Sequence, residues 1–317
     1  MTHFRQRLPL RDGLFLTDGG LETVLIFQQG VELASFAAID LMRRPEGPQI
    51  LRDYFEPYLD IARSAGTGLV LETPTWRASP DWAEPVGFTD LSQLADANRR
   101  GLDLTDQIRR ANATPTMPIV VSGCIGPRGD GYDPGQIMSV EAAESYHAWQ
   151  IEIFANGAAD LVSAITMTNI SEAVGIARAA KAHSIPVVIS FTVETDGNLP
   201  TGDDLGEAIA AVDGATGAYP VYYMINCAHP DHFAETLSSA SSWRDRLGGI
   251  RANASKRSHA ELDCACDPDD GDPVELGRQL AELRQRFPQL TVLGGCCGTD
   301  HRHIAEIAKA TGSLSSA

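Results

Sequence analysis

The sequence predicts an α/β protein that folds as a single-domain (β/α)8 TIM barrel, and three observations lead to that prediction. Eight short apolar runs recur along the 317 residues, and most of them end in Gly, Thr, Asn or Cys. Runs of this length that are rich in Val and Ile are typical of the buried strands of a parallel sheet. Helical periodicity fills the intervals, and eight strands alternating with helices over about 300 residues are typical of a closed barrel.

The predicted strands are spaced widely enough for a helix to follow each of them. They are LFLTDGG (14–20), GLVLETPTW (68–76), PIVVSGCIG (118–126), DLVSAITMT (160–168), PVVISFTVE (186–194), VYYMINCA (221–228), GGIRANAS (248–255) and LTVLGGCCG (290–298). A doubly wound sheet is the alternative, but LTDGG is not the GxGxxG turn of a dinucleotide-binding fold. We therefore expect one domain over residues 1–317, with the barrel core at about 12–311.

Three intervening segments show the periodicity of an amphipathic helix most clearly. They are EAAESYHAWQIEIFANGA (141–158), ISEAVGIARAAKAHSI (170–185) and PVELGRQLAELRQRF (273–287). The predicted apolar face of the first consists of Ala143, Tyr146, Trp149, Ile153 and Phe154. The third opens on Pro273, and proline suits the first turn of a helix. Two longer connections, 21–48 and the Gly/Asp-rich 195–206, interrupt the alternation.

Charge and hydropathy narrow the classes of partner. The chain carries 25 Lys and Arg against 42 Asp and Glu, a net charge of −17. Such an acidic surface disfavours nucleic acid and anionic membranes as partners. No apolar run reaches the roughly 18 residues of a membrane helix, and the first residues do not resemble a signal peptide. We expect a cytoplasmic protein that binds small molecules, and homo-oligomer formation is compatible with this reading.

The six cysteines, at positions 124, 227, 264, 266, 296 and 297, are expected to be reduced thiols rather than a disulfide framework. Cys227 ends the sixth predicted strand, and Cys296 and Cys297 end the eighth. The carboxyl ends of barrel strands meet at one rim, which carries the active site in barrel enzymes. Three thiolates with one open position describe a zinc site that can do chemistry, because a closed structural site uses four protein ligands.

Two adjacent cysteines pose a geometric problem, since successive side chains of a regular strand point to opposite faces. The flanking residues Gly294, Gly295 and Gly298 permit the backbone to leave strand geometry there. Buried packing of the two thiols and a strained vicinal disulfide remain the alternatives. The second cysteine motif, Cys264 and Cys266 in an acidic loop, is interpreted as a pair of incidental thiols.

Further polar residues end the predicted strands and are candidates for the rim. They are Asp18, Glu72, Cys124, Thr166, Thr168, Thr192, Glu194, Asn226 and Asn253. His229 follows Cys227 by two residues and is a candidate fourth ligand or supporting residue. Trp76 and Trp82 could accept a cationic ligand by cation–π contact, although packing of their loop is the favoured interpretation.

At these residues the sequence resembles the homocysteine S-methyltransferase family, whose members are zinc-dependent barrels that transfer a methyl group to a thiol. The resemblance runs over nearly the whole chain, and its most specific part is the combination of INC with GGCCG. Its carriers are LTDGGLET (16–23), SGCIGPRGDGY (122–132), PVVISFTVETDGNLPTGDDLGEAI (186–209), INCAHPDHF (225–233) and LGGCCGTDHRHI (293–304).

The resemblance implies a set of site residues and a reaction. The implied Zn²⁺ ligands are Cys227, Cys296 and Cys297. Asp18 and the amides of Gly19 and Gly20 are implied to contact the amino-acid part of the acceptor. A free thiol has a pKa near about 8.5 and becomes a thiolate on zinc. That thiolate would attack the methyl carbon of a small onium donor of the S-methylmethionine, S-adenosylmethionine or betaine class.

One position departs from the family pattern. The family carries a Glu near the end of the fourth strand that binds the α-amino group of homocysteine, and Ile165 stands there in this chain. An unpaired ammonium group would cost about 1–3 kcal/mol. Either another rim carboxylate (Glu22, Glu72 or Glu194) replaces it, or the acceptor is a different thiol or a selenol. Asn253 is expected to help place such a carboxylate or Cys227.

Two rival functions stay open at this point. A zinc hydrolase or lyase would need a general base aimed at a zinc-bound water, and three thiolates make that water a poor acid. A barrel that binds zinc or a small thiol without catalysis would show metal binding but no methyl transfer.

Overall fold

The computed structural model describes residues 4–239, 242–265 and 269–315, and it forms a closed barrel of eight parallel strands. The strands are β1 (Phe15–Leu16), β2 (Gly68–Glu72), β3 (Ile119–Ile125), β4 (Leu161–Met167), β5 (Val187–Phe191), β6 (Tyr223–Asn226), β7 (Leu247–Ala252) and β8 (Val292–Gly295). They pair in sequence order, and β8 pairs with β1 to close the barrel. The (β/α)8 prediction is therefore confirmed, and each apolar run overlaps one strand.

Helices surround the strands along the described part of the chain. They are α1 (Leu21–Thr23), α2 (Gly47–Ala65), α3 (Ala83–Val86), α4 (Leu91–Asn112), α5 (Val140–Ala155), α6 (Ile170–Ala182), α7 (Leu205–Thr216), α8 (Pro230–Ser239), α9 (His259–Asp263), α10 (Pro273–Arg286) and α11 (His301–Ser315). Aspartate, asparagine or serine side chains cap α4, α5, α6, α7, α9 and α10 at their first turns. Such caps pair amides that the helix itself leaves unsatisfied. In the described residues, no helix is long and apolar enough to cross a membrane.

The two long connections that the sequence predicts are both present. The first joins β1 to α2 and contains α1, a π-helical turn at Val24–Gln28 and short 3₁₀ segments at Ala34–Phe36 and Ala38–Arg43. The second joins β5 to α7. Each follows the carboxyl end of a strand, so both lie at the end of the barrel where a site is expected.

The apolar face predicted for α5 is partly wrong. Its fully buried residues are Ala143, His147, Gln150, Ile151 and Phe154, whereas Tyr146, Trp149 and Ile153 are partly exposed. The polar members are buried because tertiary contacts pair them: the Nε2 of His147 lies 2.8 Å from Glu172, and the Nε2 of Gln150 donates to the Thr75 carbonyl at 3.0 Å. Hydropathy cannot anticipate such partners, which come from distant segments.

The barrel interior changes from apolar to polar along the strands. One buried apolar cluster contains Phe15, Val70, Val120, Leu161, Val188 and Val292. Side chains two residues apart on a strand face the same side, and two residues after Val70, Val120 and Leu161 the buried side chains are polar: Glu72, Ser122 and Ser163. The hydroxyl oxygens of Ser122 and Ser163 lie 2.8 Å apart. On the opposite side, Ser190 donates to Asn226 at 2.6 Å. The apolar layer therefore supports a buried polar layer beneath the carboxyl ends of the strands.

Candidate metal centre

Three cysteine sulfurs converge above this polar layer. The Sγ atoms of Cys227, Cys296 and Cys297 lie within 4.8 Å of one another, and within residues 4–239, 242–265 and 269–315 they are the one group of three side chains placed to hold a metal. The Sγ atoms of Cys227 and Cys297 are 3.8 Å apart. Cys227 and Cys296 form a disulfide with Cα atoms 5.4 Å apart, which differs from the reduced thiols expected from the sequence. The three sulfurs therefore share one small space at the carboxyl ends of β6 and β8.

A turn lets the two adjacent cysteines face the same side. Strand β8 ends at Gly295, so Cys296 and Cys297 lie beyond regular strand geometry. The amide of Thr299 donates to the Cys296 carbonyl at 3.1 Å, and Gly298 adopts a left-handed φ of 76°. Glycine adopts this conformation without steric cost. The predicted role of the flanking glycines is therefore met at Gly298, where the turn requires one.

Cys227 itself has a left-handed backbone with φ 52°, which is uncommon for a residue other than glycine. Its carbonyl accepts hydrogen bonds from the Nδ2 of Asn253 at 3.1 Å and the Nε2 of His259 at 2.7 Å. Its amide donates to the carbonyl of Arg251 at 3.1 Å. Asn253 thus contacts the backbone of Cys227, as expected, but it is not among the residues that line the pocket.

A pocket of about 440 Å³ opens above the sulfurs. Of the residues singled out in the sequence, those that line it are Asp18, Gly19, Gly20, Glu22, Glu72, Trp76, Cys124, Ile165, Thr166, Cys227, Cys296 and Cys297. Arg77, Tyr132 and Arg251 also line it and were missed by the sequence analysis. Arg251 carried a detectable signal, because a charged residue inside the buried strand GGIRANAS needs a charged partner.

Arg251 joins two carboxylates at the pocket floor. Its Nη2 donates to the Oδ1 of Asp18 at 2.6 Å, and its Nη1 lies 3.8 Å from the Oε1 of Glu72. Asp18 also accepts a hydrogen bond from the hydroxyl of Tyr54 at 3.0 Å. Asp18 is therefore already paired on both oxygens, whereas Glu72 lies farther from Arg251 and has the hydroxyls of Ser122 and Ser163 as its other polar neighbours.

Burial raises the pKa of the Glu72 carboxyl to about 7, against the opposing attraction of Arg251. The Oε2 atom of Glu72 is buried and has no hydrogen-bond partner among the described residues. Burial also raises the pKa of Asp18, although Arg251 and Tyr54 oppose the rise. A buried acceptor without a partner is costly, so Glu72 is the carboxylate best placed to gain from a ligand that donates a hydrogen bond.

Two of the predicted acceptor-binding groups, Glu194 and the Gly20 amide, are paired with other parts of the protein, and Glu22 makes one weak contact. The Oε1 of Glu194 lies 2.9 Å from the Nδ1 of His259, and Glu194 is not among the pocket-lining residues. The amide of Gly20 donates to the carbonyl of Thr299 at 3.0 Å, so it does not point to a ligand. Glu22 lines the pocket, but its Oε1 accepts a weak hydrogen bond from the amide of Ala38 at 3.4 Å. The expected roles of Glu194 and the Gly20 amide are therefore not supported by the geometry.

Both tryptophans, Trp76 and Trp82, already contact a cationic side chain of the protein, that of Arg77. The guanidinium of Arg77 lies 4.9 Å from the ring centroid of Trp76 and 4.4 Å from that of Trp82. Trp82 is not among the pocket-lining residues, whereas Trp76 lines the pocket and donates to the carbonyl of Ile165 at 3.2 Å. Packing is thus the better description of Trp82.

Among the other candidates, Asn226 contacts a sulfur through its Nδ2, 3.8 Å from the Sγ of Cys296, whereas His229 and Cys264 are outside the three-cysteine group. The Nδ1 of His229 accepts from the amide of Asp231 at 3.2 Å, and burial lowers the pKa of His229 to about 4. His229 is outside the three-cysteine group, so its prediction as a fourth ligand does not fit this structure. Cys264 is exposed, and Cys266 lies outside the described residues.

Comparison with known proteins agrees with the barrel architecture and with the resemblance to a methyltransferase family. The family model described as homocysteine S-methyltransferase matches residues 15–311. The homocysteine S-methyltransferase of Escherichia coli K12 is 25% identical over 95% of this chain and 98% of its own length. The selenocysteine Se-methyltransferase of Brassica oleracea var. italica is 24% identical over 96% of this chain and 91% of its own length. The methionine synthase of Mycobacterium leprae is 27% identical over 83% of this chain, which spans only 21% of that enzyme.

Solved structures show the same fold. The metallated form of the Escherichia coli homocysteine methyltransferase MmuM superimposes with a TM-score of 0.69 at 22% identity, covering 97% of this chain and 99% of that one. Its oxidized form gives a TM-score of 0.70 at 21% identity, covering 98% and 99%. Because the family model covers almost the whole barrel, the chain belongs to the homocysteine S-methyltransferase family, a family of thiol methyltransferases.

Proposed function

We propose that this protein transfers a methyl group from a small onium donor to a zinc-bound thiol, with homocysteine as the acceptor. Family membership establishes thiol methyl transfer as the class of reaction. The zinc ion, the donor and the acceptor are the proposal. The observation that carries it is the convergence of three cysteine sulfurs at a pocket that is also lined by Glu72, whose buried Oε2 atom has no hydrogen-bond partner among the described residues.

The donor set fits Zn²⁺. Zinc–sulfur bonds of about 2.3 Å in a tetrahedron place the sulfurs about 3.8 Å apart. The Sγ atoms of Cys227 and Cys297 have a separation of 3.8 Å. Burial raises the pKa of the Cys297 thiol, so a neighbouring cation is needed to hold it as a thiolate at neutral pH. Metal binding also requires Cys227 and Cys296 in the reduced state, since a disulfide sulfur is not a thiolate ligand.

The residues of the pocket would keep water away from the reacting sulfur. If zinc is bound by the three cysteines, it would lower the pKa of the acceptor thiol, whose proton would pass to solvent, and so supply a thiolate. The pocket wall shields this sulfur from water, and Ile165 and Trp76 form an apolar part of that wall. A new bond then forms between the acceptor sulfur and the methyl carbon. The bond from that carbon to the donor's positive sulfur or nitrogen breaks, and its electron pair leaves with the now neutral donor.

The charge of the pocket supports an onium donor. Its lining carries five carboxyl groups, those of Asp18, Glu22, Glu72, Asp130 and Asp269, against the two guanidinium groups of Arg77 and Arg251, so acidic groups outnumber cations even when Glu72 is protonated. An excess of negative charge concentrates cations in a cleft. This favours donors of the S-methylmethionine, S-adenosylmethionine or betaine class over a neutral methyl compound.

Glu72 supports homocysteine as the acceptor although Ile165 occupies the family's glutamate position. Its buried Oε2 could accept a hydrogen bond from the α-ammonium group, and Glu22 is the next candidate. A specific observation favours a second acceptor class: Ile165 is an apolar wall residue, which suits a thiol or selenol that lacks an ammonium group.

Titration calorimetry of the reduced, zinc-loaded protein separates these acceptors. The two ligands are homocysteine and 4-mercaptobutyrate, which lacks only the ammonium group. We expect homocysteine to bind more tightly, and Glu72→Gln to abolish that preference while Glu22→Gln keeps most of it. Equal or tighter binding of 4-mercaptobutyrate by the wild type would favour the second class. Binding without a methylated product from any of the three donor classes would favour a non-catalytic barrel.

A further inference from the structure

We infer that His259, oriented by Glu194 and packed on Tyr132, is a positioning residue that holds Cys227 and Cys297 in the arrangement in which their sulfurs converge. The inference rests on the proposed metal function and extends it. Neither His259 nor Glu194 is among the pocket-lining residues, so both would act through the cysteines rather than on a substrate.

The first contact is with the backbone of Cys227. The Nε2 of His259 lies 2.7 Å from the Cys227 carbonyl oxygen, and because a carbonyl only accepts, the histidine donates. Cys227 needs such support, since its φ of 52° is disfavoured for a residue with a side chain. The hydrogen bond fixes the orientation of the peptide plane after Cys227 and, with it, the direction of the thiol.

The second contact orients the imidazole. The Oε1 of Glu194 lies 2.9 Å from the Nδ1 of His259, and since a carboxylate and a carbonyl both accept, the two hydrogen bonds form together on an imidazole that carries a proton on each nitrogen. The side chain of His259 is 6% exposed, whereas that of Glu194 is 33% exposed. Leaving a buried ring nitrogen unpaired is costly. The ring is therefore held in one orientation by a carboxylate that follows β5 and a carbonyl that follows β6.

The third contact links this ring to another sulfur. Tyr132 stacks on His259 with ring centroids 3.9 Å apart and an angle of 10° between the planes. Its hydroxyl donates to the Sγ of Cys297 at 3.3 Å. Donation to sulfur disperses negative charge on a thiolate. One rigid stack thus connects the backbone of Cys227 with the sulfur of Cys297.

Tyr132, Glu194 and His259 lie in three different connections, and the closed barrel brings them together. Tyr132 follows β3, Glu194 follows β5, and His259 follows β7. Groups that support a metal ligand in this way change metal affinity or activity by about 10–100-fold when they are removed. Metal affinity is therefore the measurement that distinguishes positioning of the cysteines from general support of the fold.

The test uses the full chain under reducing conditions, with zinc affinity measured by chelator competition and folding by thermal melting. His259→Phe keeps a ring that can stack on Tyr132 but removes both nitrogens, and we expect it to raise the zinc Kd about 10–100-fold. Tyr132→Phe removes only the hydroxyl, and we expect it to shift the sulfur-to-metal charge-transfer absorption of the Co²⁺-substituted protein. His259→Gln restores an N–H donor, so it should recover part of the affinity.

His232 provides the matched control. Its Nε2 lies 3.0 Å from the carbonyl oxygen of Lys256, a bond of the same kind that does not involve a cysteine. His232→Phe should leave the zinc Kd within about threefold of wild type. The inference is overturned if His259→Phe also stays within that range, or if both variants weaken zinc equally.

Different results overturn the proposed function and the role of His259. A reduced wild-type protein that binds no zinc overturns the proposed function and this inference with it. A wild-type protein that binds zinc as tightly as His259→Phe overturns the inference alone. If His259→Phe does not fold, His259→Gln and Tyr132→Phe carry the same comparison, and an unchanged Kd in the first with an unchanged cobalt spectrum in the second overturns the inference.

Discussion

Arg251 and Asp18 form a buried ion pair, with Nη2 and Oδ1 2.6 Å apart, across the closure of the barrel. Arg251 lies in β7, and Asp18 follows β1. Glu72, which ends β2, lies 3.8 Å from the same guanidinium. Two carboxylates thus share one cation at the floor of the pocket, and an incoming ammonium group would supply the positive charge that this floor lacks.

Removal of the shared cation should destabilise the protein strongly. Arg251→Met leaves Asp18 and Glu72 buried without a counter-charge, and breaking a buried pair in this way costs about 3–5 kcal/mol. Urea unfolding measures the change in the free energy of unfolding. The double variant Arg251→Met with Asp18→Asn should regain part of the lost free energy of unfolding. An Arg251→Met variant whose free energy of unfolding stays within about 1 kcal/mol of wild type would contradict the pairing.

Glu72 should make the folded protein less stable as pH rises. Burial raises its pKa from 4.5 to about 7, so between these values the folded protein binds a proton that the unfolded chain has released. The contribution of Glu72 to stability therefore falls as pH rises from about 4.5 to 7 and stays low above that. Glu72→Gln removes this loss.

The corresponding measurement is the difference in unfolding free energy between Glu72→Gln and wild type at pH 5 and pH 8. We expect the difference to shift in favour of the variant by up to about 3 kcal/mol at the higher pH. Asp18 is present in both proteins, so its own titration largely cancels. A difference that does not change with pH would mean that Glu72 is not the carboxyl with the raised pKa.

The metal content of cysteine variants should follow the geometry of the sulfurs. We expect the reduced protein to bind one zinc per chain, and Cys227→Ser, Cys296→Ser and Cys297→Ser each to lower that content. Elemental analysis after dialysis measures it. Cys264→Ser is the control, because Cys264 is exposed and outside the three-cysteine group. Unchanged zinc in Cys227→Ser would end the three-thiolate assignment.

The turn at Gly298 should be sensitive to a methyl group. Gly298 has a φ of 76°, and an added Cβ would lie 2.6 Å from the carbonyl oxygen of Asp269. We expect Gly298→Ala to lower the free energy of unfolding by about 1–2 kcal/mol or more and to weaken zinc binding. Denaturant unfolding and chelator competition check the two effects.

Gly214 provides the control, because the same change from glycine to alanine is expected to raise the free energy of unfolding there. Gly214 lies inside α7, and an added Cβ there meets nothing within 4 Å. Gly214→Ala should stabilise the protein by up to about 1 kcal/mol, because alanine is the better helix former. If both variants destabilise the protein alike, the left-handed turn is not the cause.

The strands could be predicted because each one is encoded by a continuous local run of apolar residues, which suits a strand buried on both faces. Barrel topology then brings Cys227 and the Cys296–Cys297 pair to one rim whatever the details of packing. The buried face of α5 was misjudged for the complementary reason, since His147 and Gln150 are buried through partners in other segments.

The sequence by itself determined the eightfold alternation and the placement of Cys227, Cys296 and Cys297 at the ends of strands, because strand propensity and the order of strand ends depend on nearby residues. Only the tertiary structure decided which carboxylates reach the pocket: Glu22 and Glu72 do, whereas Glu194 pairs with His259. It also decided the pairing of Arg251 with Asp18. These contacts join side chains that follow different strands, and their directions are set by side-chain alternation and by barrel closure, which no local stretch of sequence encodes.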